Sequence, residues 1–157
     1  MRQETINIYN FAELSDGAKE KAIQWFLQGN EYFFIEESLD SIKAFCKQFG
    51  VTLKDYDVDS WRYFFRTDVL NANFRGLKLS DIKRDATLTG YYIDYTLSAA
   101  FYDAFQATGD AKHAFHTAID TAFHEIQKEM QYQESAEYAT EAIIANEYEF
   151  TADGSIY

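Results

Sequence analysis

The sequence predicts an α+β fold in which helices pack on a small, mostly antiparallel sheet. Hydrophobic residues recur at helical spacing over much of the chain, and the period changes from about 3.6 to 2 after Gly50. Near the end of the chain, Asp153-Gly154 lies between alternating apolar residues, which is the pattern of a C-terminal β-hairpin with a type I′ turn. The chain contains no proline and no internal repeat, so we expect residues 1–157 to form a single domain.

The elements of the first half follow from their hydrophobic period and their end signals. Serine and aspartate accept hydrogen bonds from the first free N–H groups of a helix, and glycine readily adopts the backbone that ends one. The expected elements are a strand over residues 5–11, a helix capped by Ser15 or Asp16 and ended by Gly29, a helix over about 31–49, and strands over 51–58 and 61–67 joined by a turn at Asp59-Ser60. Trp61, Tyr63 and Phe65 are expected on one face of the last strand.

The second half is expected to be mostly helical. The predicted elements are a polar loop over residues 71–86 with a short helix started at Ser80, a strand over 87–95, a helix ended by Gly109, a longer helix capped by Asp110 and running to about 133, a helix over 136–145 ended by Asn146, and the C-terminal hairpin.

Composition and charge exclude several classes of protein. Hydrophobic residues make up 47 % of the chain and aromatic residues 18 %, which excludes a disordered protein. The net charge of −12 repels phosphate backbones, so we expect no direct binding to nucleic acid. The sequence has no apolar run long enough for a signal peptide or a membrane span, and its single cysteine, Cys46, fits a reducing compartment. We therefore expect a soluble cytoplasmic protein without a membrane partner.

Negative charge is concentrated in the last part of the chain. Residues 91–157 hold 2 basic and 12 acidic residues, and no lysine or arginine follows Lys128. The candidate partner-binding residues are the carboxylates of this stretch and one tyrosine among them: Glu129, Glu134, Glu137, Tyr138, Glu141, Glu147 and Glu149. The 3,4 spacing of Glu134, Glu137 and Glu141 predicts a row on one helix face, with a rise of about 4.5 to 6 Å per step that is comparable to the spacing of phosphates. Such a row either occupies a basic groove built for nucleic acid or is simply a solvated helix face.

A basic segment precedes this acidic region. Its members are Arg62, Arg66, Arg75, Lys78, Lys83 and Arg84. With the aromatic residues between them, they could contact a phosphate-bearing ligand or a single strand. We favour the other interpretation, in which they neutralise the acidic helices.

All three histidines fall on one predicted helix. His113, His116, Asp120 and His124 step by 3, 4 and 4 residues, and the i,i+4 pairs among them have a spacing that can chelate a divalent metal. One helix cannot supply all the ligands of a tetrahedral metal site. A pH-dependent contact of the histidines with an acidic surface is another interpretation of the same face. The sequence shows no phosphate-binding loop, paired-cysteine motif or nucleophile elbow. We therefore expect no cofactor and no catalytic residue.

Two segments carry a resemblance to a known family. They read FAELSDGAKEKAIQWF over residues 11–26 and EAIIANEYEFTADGSIY over residues 141–157, and together they resemble small, acidic proteins of phages and prophages. The central DSWRYFFRTDVLNANFRG departs from the aromatic-Gly-Asp-Gly stretch common in that family. Some members are described as antitoxins, and their genes travel with others that counter host defence. The resemblance implies a biological setting and assigns no catalytic residues.

The charge and the resemblance together give one leading hypothesis and two alternatives. The leading hypothesis is a non-enzymatic, phage-encoded inhibitor of anti-CRISPR type in the host cytoplasm. Its acidic surface would compete for the basic nucleic-acid groove of a host protein or ribonucleoprotein complex. One alternative is an antitoxin-like protein that neutralises a partner toxin, and the other is a metal-dependent enzyme that uses the histidine face.

Overall fold

The computed structural model describes residues 5–69 and 72–157, and the contacts of the chain divide it into two compact units. The terminal unit comprises Met1–Glu31 and Gln131–Tyr157, and the central unit comprises Tyr32–Met130. Each unit has a hydrophobic core of its own. The predicted α+β class is confirmed, because the described residues form five α-helices and two antiparallel two-stranded sheets. The single domain stays a prediction.

The terminal unit joins the two ends of the chain. Its elements are β1 (Tyr9–Asn10), α1 (Asp16–Gln28), α5 (Ala136–Ala145) and β4 (Glu149–Phe150). The two strands pair in antiparallel register, with Tyr9 opposite Phe150. Ser15 caps α1 by accepting a hydrogen bond from the backbone N–H of Ala18, and Gly29 ends the helix, both as predicted.

The central unit contains most of the helical residues. Its elements are α2 (Phe34–Gln48), β2 (Thr52–Val58), β3 (Tyr63–Asp68), α3 (Ile93–Thr108) and α4 (Ala111–Gln133). The last three residues of α4, 131–133, belong to the terminal unit. Asp110 caps α4 by accepting from the N–H of His113, and Gly109 ends α3 in the left-handed region. A short 3₁₀ turn stands where a helix from Ser80 was predicted, and Asn71, the first residue of that predicted loop, lies outside the described residues.

Aromatic rings fill the core of the central unit. Phe45 on α2 stacks on Phe115 of α4 with ring centroids 5.5 Å apart. The β2–β3 hairpin covers α4 through Tyr63 and Phe65, whose rings lie nearly parallel to that of Phe123 at 6.0 and 5.3 Å. The hairpin is thus fixed to the helix by ring stacking. Among the residues that the structure describes, no helix is long and apolar enough to cross a membrane.

The predicted strand over residues 5–11 is largely wrong. Only Tyr9–Asn10 pair with another strand, and Ile6 and Ile8 are 59 % and 40 % exposed. The partner strand, β4, offers only two residues for pairing before the chain turns. Alternation of apolar residues therefore gave a strand pattern to a segment of which only two residues have a strand beside them.

The predicted strand over residues 87–95 is also wrong. Asp94, in the first turn of α3, accepts hydrogen bonds from the backbone N–H groups of Leu88, Thr89 and Gly90 at 2.8, 2.9 and 2.7 Å. This contact curls residues 88–90 around the carboxylate, and Gly90 takes a φ of +92°. The N–H groups that a strand would use for pairing are consumed by a single side chain, so a helix begins where the strand was expected.

The predicted C-terminal hairpin is present, but its turn is not of type I′. Thr151 donates its N–H to the carbonyl of Ser155, and Phe150 forms an antiparallel bridge with Ile156. The loop between Thr151 and Ser155 has three residues, 152–154, and of these only Gly154 has a positive φ. A type I′ turn has a two-residue loop with positive φ at both residues. The loop here is one residue longer and needs a positive φ at only one position, which is Gly154.

Cys46 is buried in α2, and its burial offers a first test. Its place at helical spacing with Leu39, Ile42 and Phe45, an apolar stripe of this helix, predicts that burial. It is 1 % exposed, and burial raises the pKa of its thiol to about 12. The thiolate is the reactive form, so iodoacetamide at about pH 8 should leave the folded protein unmodified and alkylate it rapidly in guanidinium. Mass spectrometry would measure the modification, with a Glu20→Cys variant, exposed on α1, as the reactive control. Alkylation of Cys46 in folded protein at the rate of the control would contradict the burial.

Candidate functional site

The two segments that carry the family resemblance pack against each other in the terminal unit. A Cβ added to Gly154 would stand 2.8 Å from the carbonyl carbon of Ala18 and 2.9 Å from its Cα. Lys21 on α1 donates hydrogen bonds to Asp153 Oδ2 at 2.6 Å and to Ser155 Oγ at 2.8 Å. Hydrogen bonds from Lys21 and from the hairpin itself hold the pKa of Asp153 well below its usual range. These residues of the two segments therefore fix the C-terminal hairpin on α1.

The predicted row of three carboxylates on one helix face is wrong in one member. Ser135 is the N-cap of α5, so Glu134 precedes the helix and lies in the turn before it. Glu137 and Glu141 remain one turn apart on α5 and both are exposed. Glu141 accepts a hydrogen bond from the hydroxyl of Tyr132 at 2.7 Å. The sequence spacing did not reveal that the cap falls between the first and second glutamates.

Tyr138 belongs to a chain of aromatic rings in the terminal unit. The centroid of its ring lies 5.4 Å from that of Tyr132 and 6.1 Å from that of Phe26. The ring of Phe26 in turn lies 6.4 Å from that of Tyr148. Trp25 then meets Tyr148 at 5.4 Å, with the rings close to perpendicular. Tyr138 and Tyr148 are half-buried. Tyr138 therefore acts first as part of the packing that holds α1 and α5 together.

A groove of about 410 Å³ lies beside the end of α5 and brings two of the predicted residues together. Its lining comprises Asn10, Phe11, Ala12, Ile143, Ile144, Glu147, Tyr148 and Glu149. Phe11 and Ile143 are buried, whereas Ile144 is 55 % exposed. The described residues that line the groove include no lysine, arginine or histidine. The result is a half-apolar groove whose only formal charges are the carboxylates of Glu147 and Glu149.

Hydrogen bonds of the main chain hold the backbone of Glu147 and Glu149 in place. Glu147 has a φ of +53°, and it is the one described non-glycine residue with a positive φ. Its N–H donates to the carbonyl of Ile144, and that of Tyr148 donates to Ile143, which together end α5. Glu149 pairs with Asn10 in the sheet, so their side chains leave it on the same face. Among the described residues, neither Glu147 nor Glu149 has a hydrogen-bond or ion-pair partner for its carboxylate.

Glu129 occupies a different environment from the other predicted partner-binding residues. It lies on α4 in the central unit and is half-buried. Burial and the Glu129 carboxylate raise the pKa of Tyr92 to about 12, and burial together with the carboxylates of Glu37 and Glu129 raises that of Tyr91. Its described electrostatic partners are thus tyrosines of its own unit.

The four residues of the predicted histidine face of α4, His113, His116, Asp120 and His124, are exposed, as predicted. Among the residues that the structure describes, no group of three or more histidine, cysteine, aspartate or glutamate side chains is arranged to hold a metal ion. Asp120 accepts a hydrogen bond from the hydroxyl of Tyr63 at 3.0 Å, and the ring of His116 lies 5.1 Å from that of Phe65. His124 lies 6.4 Å from the ring of Tyr63, and His113 stands exposed near the start of the helix. The β2–β3 hairpin thus packs along part of this face.

The basic segment neutralises acidic groups at some of its positions. Arg84 donates two hydrogen bonds to Asp103 on α3, both at 2.9 Å, and this bidentate contact lowers the pKa of Asp103. Arg62 forms an ion pair with Asp59 at 3.7 Å. The contact of Arg84 with α3 agrees with the favoured interpretation, whereas the partner of Arg62 lies in the turn between β2 and β3 and not on a helix. Arg66, Arg75, Lys78 and Lys83 are exposed, and none of them has an ion pair among the described residues.

Trp61 does not share a strand face with Tyr63 and Phe65. Strand β3 begins at Tyr63, and Trp61 is 89 % exposed in the turn before it. The carboxylate of Asp59 accepts from the N–H groups of Trp61 and Arg62 at 2.7 and 2.8 Å, which holds both residues in the turn. A side chain that begins a strand pattern therefore belongs to the turn instead.

The sequence did not predict the groove. Its two sides come from residues 10–12 and 143–149, more than a hundred positions apart, and they are joined by the pairing of β1 with β4 and by the packing of Phe11 with Ile143 and Phe150. A partial signal existed, because Asn146 ends α5 and the next position has to turn into the left-handed region where glycine is usual. A glutamate at that position marks it as unusual.

No match to this chain was found among protein families, curated proteins or solved structures.

Proposed function

We propose that this protein is a non-enzymatic inhibitor that binds a basic, nucleic-acid-handling protein through the acidic surface of its terminal unit. The concentration of charge carries the proposal. Among its described residues the terminal unit has two lysines and ten carboxylates, which accounts for −8 of the net −12. One of the two lysines, Lys21, is already paired with Asp153. The field of this unit is therefore strongly negative, which favours fast association with a basic groove.

The exposed carboxylates Glu137, Glu147 and Glu149 form the proposed contact. Each is exposed, and among the described residues each lacks an internal partner, so its charge is available to a lysine or arginine of another protein. An arrangement of this kind competes with the phosphates that such a groove normally binds. The resemblance of the terminal segments to small, acidic phage proteins supports a host defence complex, such as a CRISPR effector, as the partner.

Competition with labelled nucleic acid tests the proposal. Purified CRISPR effector complexes with a labelled target would be titrated with this protein, and we expect the nucleic acid to be displaced in low salt. A variant with Glu137→Gln, Glu147→Gln and Glu149→Gln should displace it at least about tenfold less well, because the proposed contact loses all three charges. Raising the salt to about 1 M should also abolish displacement, because the Debye length falls to about 3 Å.

The control variant carries Asp55→Asn, Asp57→Asn and Asp85→Asn, all three in the central unit. These three residues are exposed, and their replacement changes the net charge by the same amount. Displacement equal to that of the unmodified protein is expected for the control. Equal loss in both variants would reduce the effect to net charge alone, and displacement that survives high salt would contradict an electrostatic contact.

A further inference from the structure

We infer that the groove beside the end of α5 is the specific seat of an arginine-bearing segment of the partner protein. The inference rests on the proposed function only in taking the partner to be a basic protein. At about 410 Å³ the groove lies within the size range of ligand-binding pockets. Its volume is large enough for one or two side chains.

The lining of the groove selects the chemistry of its occupant. Phe11 and Ile143 provide an apolar floor, and the exposed side chain of Ile144 extends it toward solvent. Glu147 and Glu149 place two negative charges on the lining, with no described basic side chain to neutralise them. An occupant must therefore combine apolar surface with positive charge, and an anionic ligand such as a phosphate is excluded by repulsion.

Arginine fits this combination better than lysine. Its guanidinium is planar, can donate hydrogen bonds to two carboxylates, and is more weakly hydrated than an ammonium group, so it loses less hydration energy on entering a half-apolar groove. Its aliphatic stem can lie along Ile144 while the guanidinium reaches the carboxylates. The half-buried ring of Tyr148 adds an aromatic surface on which a guanidinium can stack.

The pairing of β1 with β4 makes the groove a prepared site rather than a flexible acidic patch. Glu149 is held in a strand opposite Asn10, and Glu147 is held by two backbone hydrogen bonds at the end of α5. Both carboxylates therefore start from fixed backbone positions, and little conformational entropy is lost from the main chain on binding. The other exposed carboxylate of the proposed contact, Glu137, is not part of the groove lining.

A short peptide tests the groove apart from any partner. The probe is a five-residue peptide with blocked ends in which two arginines alternate with three leucines, titrated into ¹⁵N-labelled protein. We expect the largest chemical-shift changes at the amides of residues 10–12 and 143–149. Glu147→Gly and Glu149→Gln should each weaken binding about threefold to tenfold, whereas Glu20→Gln and Glu31→Gln should change it less than about twofold. The glycine variant suits its left-handed backbone, so loss of binding cannot come from a distorted turn.

Matched peptides and free arginine complete the test. Replacing both arginines with citrulline keeps the shape and removes the charge, and it should abolish binding. Shift changes spread evenly over acidic residues, or equal binding of the citrulline peptide, would overturn the inference. Free arginine binding as tightly as the peptide would make the site one for a small cation and would also overturn it. Nucleic-acid displacement without peptide binding would leave the proposed function standing and refute the groove as the seat of an arginine-bearing segment. Peptide binding without displacement would support the groove and refute the proposed function.

Discussion

Replacing Gly154 with alanine is expected to destabilise the terminal unit by about 2 to 5 kcal/mol. The residue has a φ of +82°, where an alanine costs about 1 to 2 kcal/mol. Its new Cβ would also stand 2.8 Å from the carbonyl carbon of Ala18, and overpacking of this kind costs about 1 to 3 kcal/mol. Because the obstructing atoms belong to the backbone of α1, no change of rotamer can relieve the contact.

Tryptophan fluorescence during thermal unfolding would measure this effect in the terminal unit. Trp25 packs there against Tyr148 and Phe150, and Trp61→Phe removes the other tryptophan, which is exposed in the central unit. The expected result is a lower unfolding temperature for the Trp25 signal when Gly154→Ala is added to this background. A transition identical to that of the background would contradict the contact between the hairpin and α1.

Two other glycines separate the causes. Gly109 has a φ of +68° with open space around it, so Gly109→Ala measures the backbone term alone and should cost about 1 to 2 kcal/mol. Gly17 lies inside α1 with no atom near its added Cβ, so Gly17→Ala should stabilise the helix by about 0.5 to 1 kcal/mol. A cost at position 154 no larger than that at position 109 would remove the steric part of the explanation.

Replacing Asp94 with alanine is expected to destabilise the protein by about 3 to 5 kcal/mol. Asp94 is 5 % exposed, and its carboxylate accepts from the backbone N–H groups of Leu88, Thr89 and Gly90 in part-buried hydrogen bonds. A donor left without a partner costs about 1 to 3 kcal/mol, and water offsets part of this cost at Thr89 and Gly90, which are exposed. Asp94→Asn keeps one carbonyl oxygen as an acceptor and should cost less. Chemical denaturation would measure both, with the exposed Asp85→Ala as a control of small effect.

The pH dependence of these variants follows from the pKa of Asp94. Burial opposes its charged form, but hydrogen bonds from Leu88, Gly90, Ser41 and Thr89 outweigh it and lower the pKa. The stabilisation is therefore fully present above the ordinary aspartate pKa of about 3.9 and is lost as the pH falls through the lower pKa of the folded state. The difference in stability between the unmodified protein and Asp94→Asn should shrink below about pH 4. A difference that stays constant there would contradict a depressed pKa.

The helices were predictable because their signals are local. A cap such as Ser15 or Asp110 lies within three residues of the N–H group that it satisfies, and Gly109 ends α3 through its own φ. The helix over residues 136–145 was predicted with the bounds that α5 has. Burial of Cys46 followed from the apolar stripe of its helix.

The errors in the strands had a different origin. A strand needs a neighbour, and the alternation of residues 5–11 and 87–95 carries no record of whether one exists. In the first case β4 supplies only two residues, and in the second Asp94 draws the backbone N–H groups of the loop to itself. Capture of these N–H groups by Asp94 is a local contact that competes with strand pairing, and the alternation of residues does not register it.

The sequence by itself determined the α+β class, the helix ends and the excess of negative charge near the C-terminus, because each depends on composition or on residues a few positions apart. Only the tertiary structure decided which carboxylates share a site. Glu134 is not part of the predicted row because Ser135 is the N-cap of α5, and Glu129 lies in the central unit. Glu147 and Glu149 line one groove together with residues 10–12. That outcome depends on the pairing of strands more than a hundred residues apart, which no local pattern encodes.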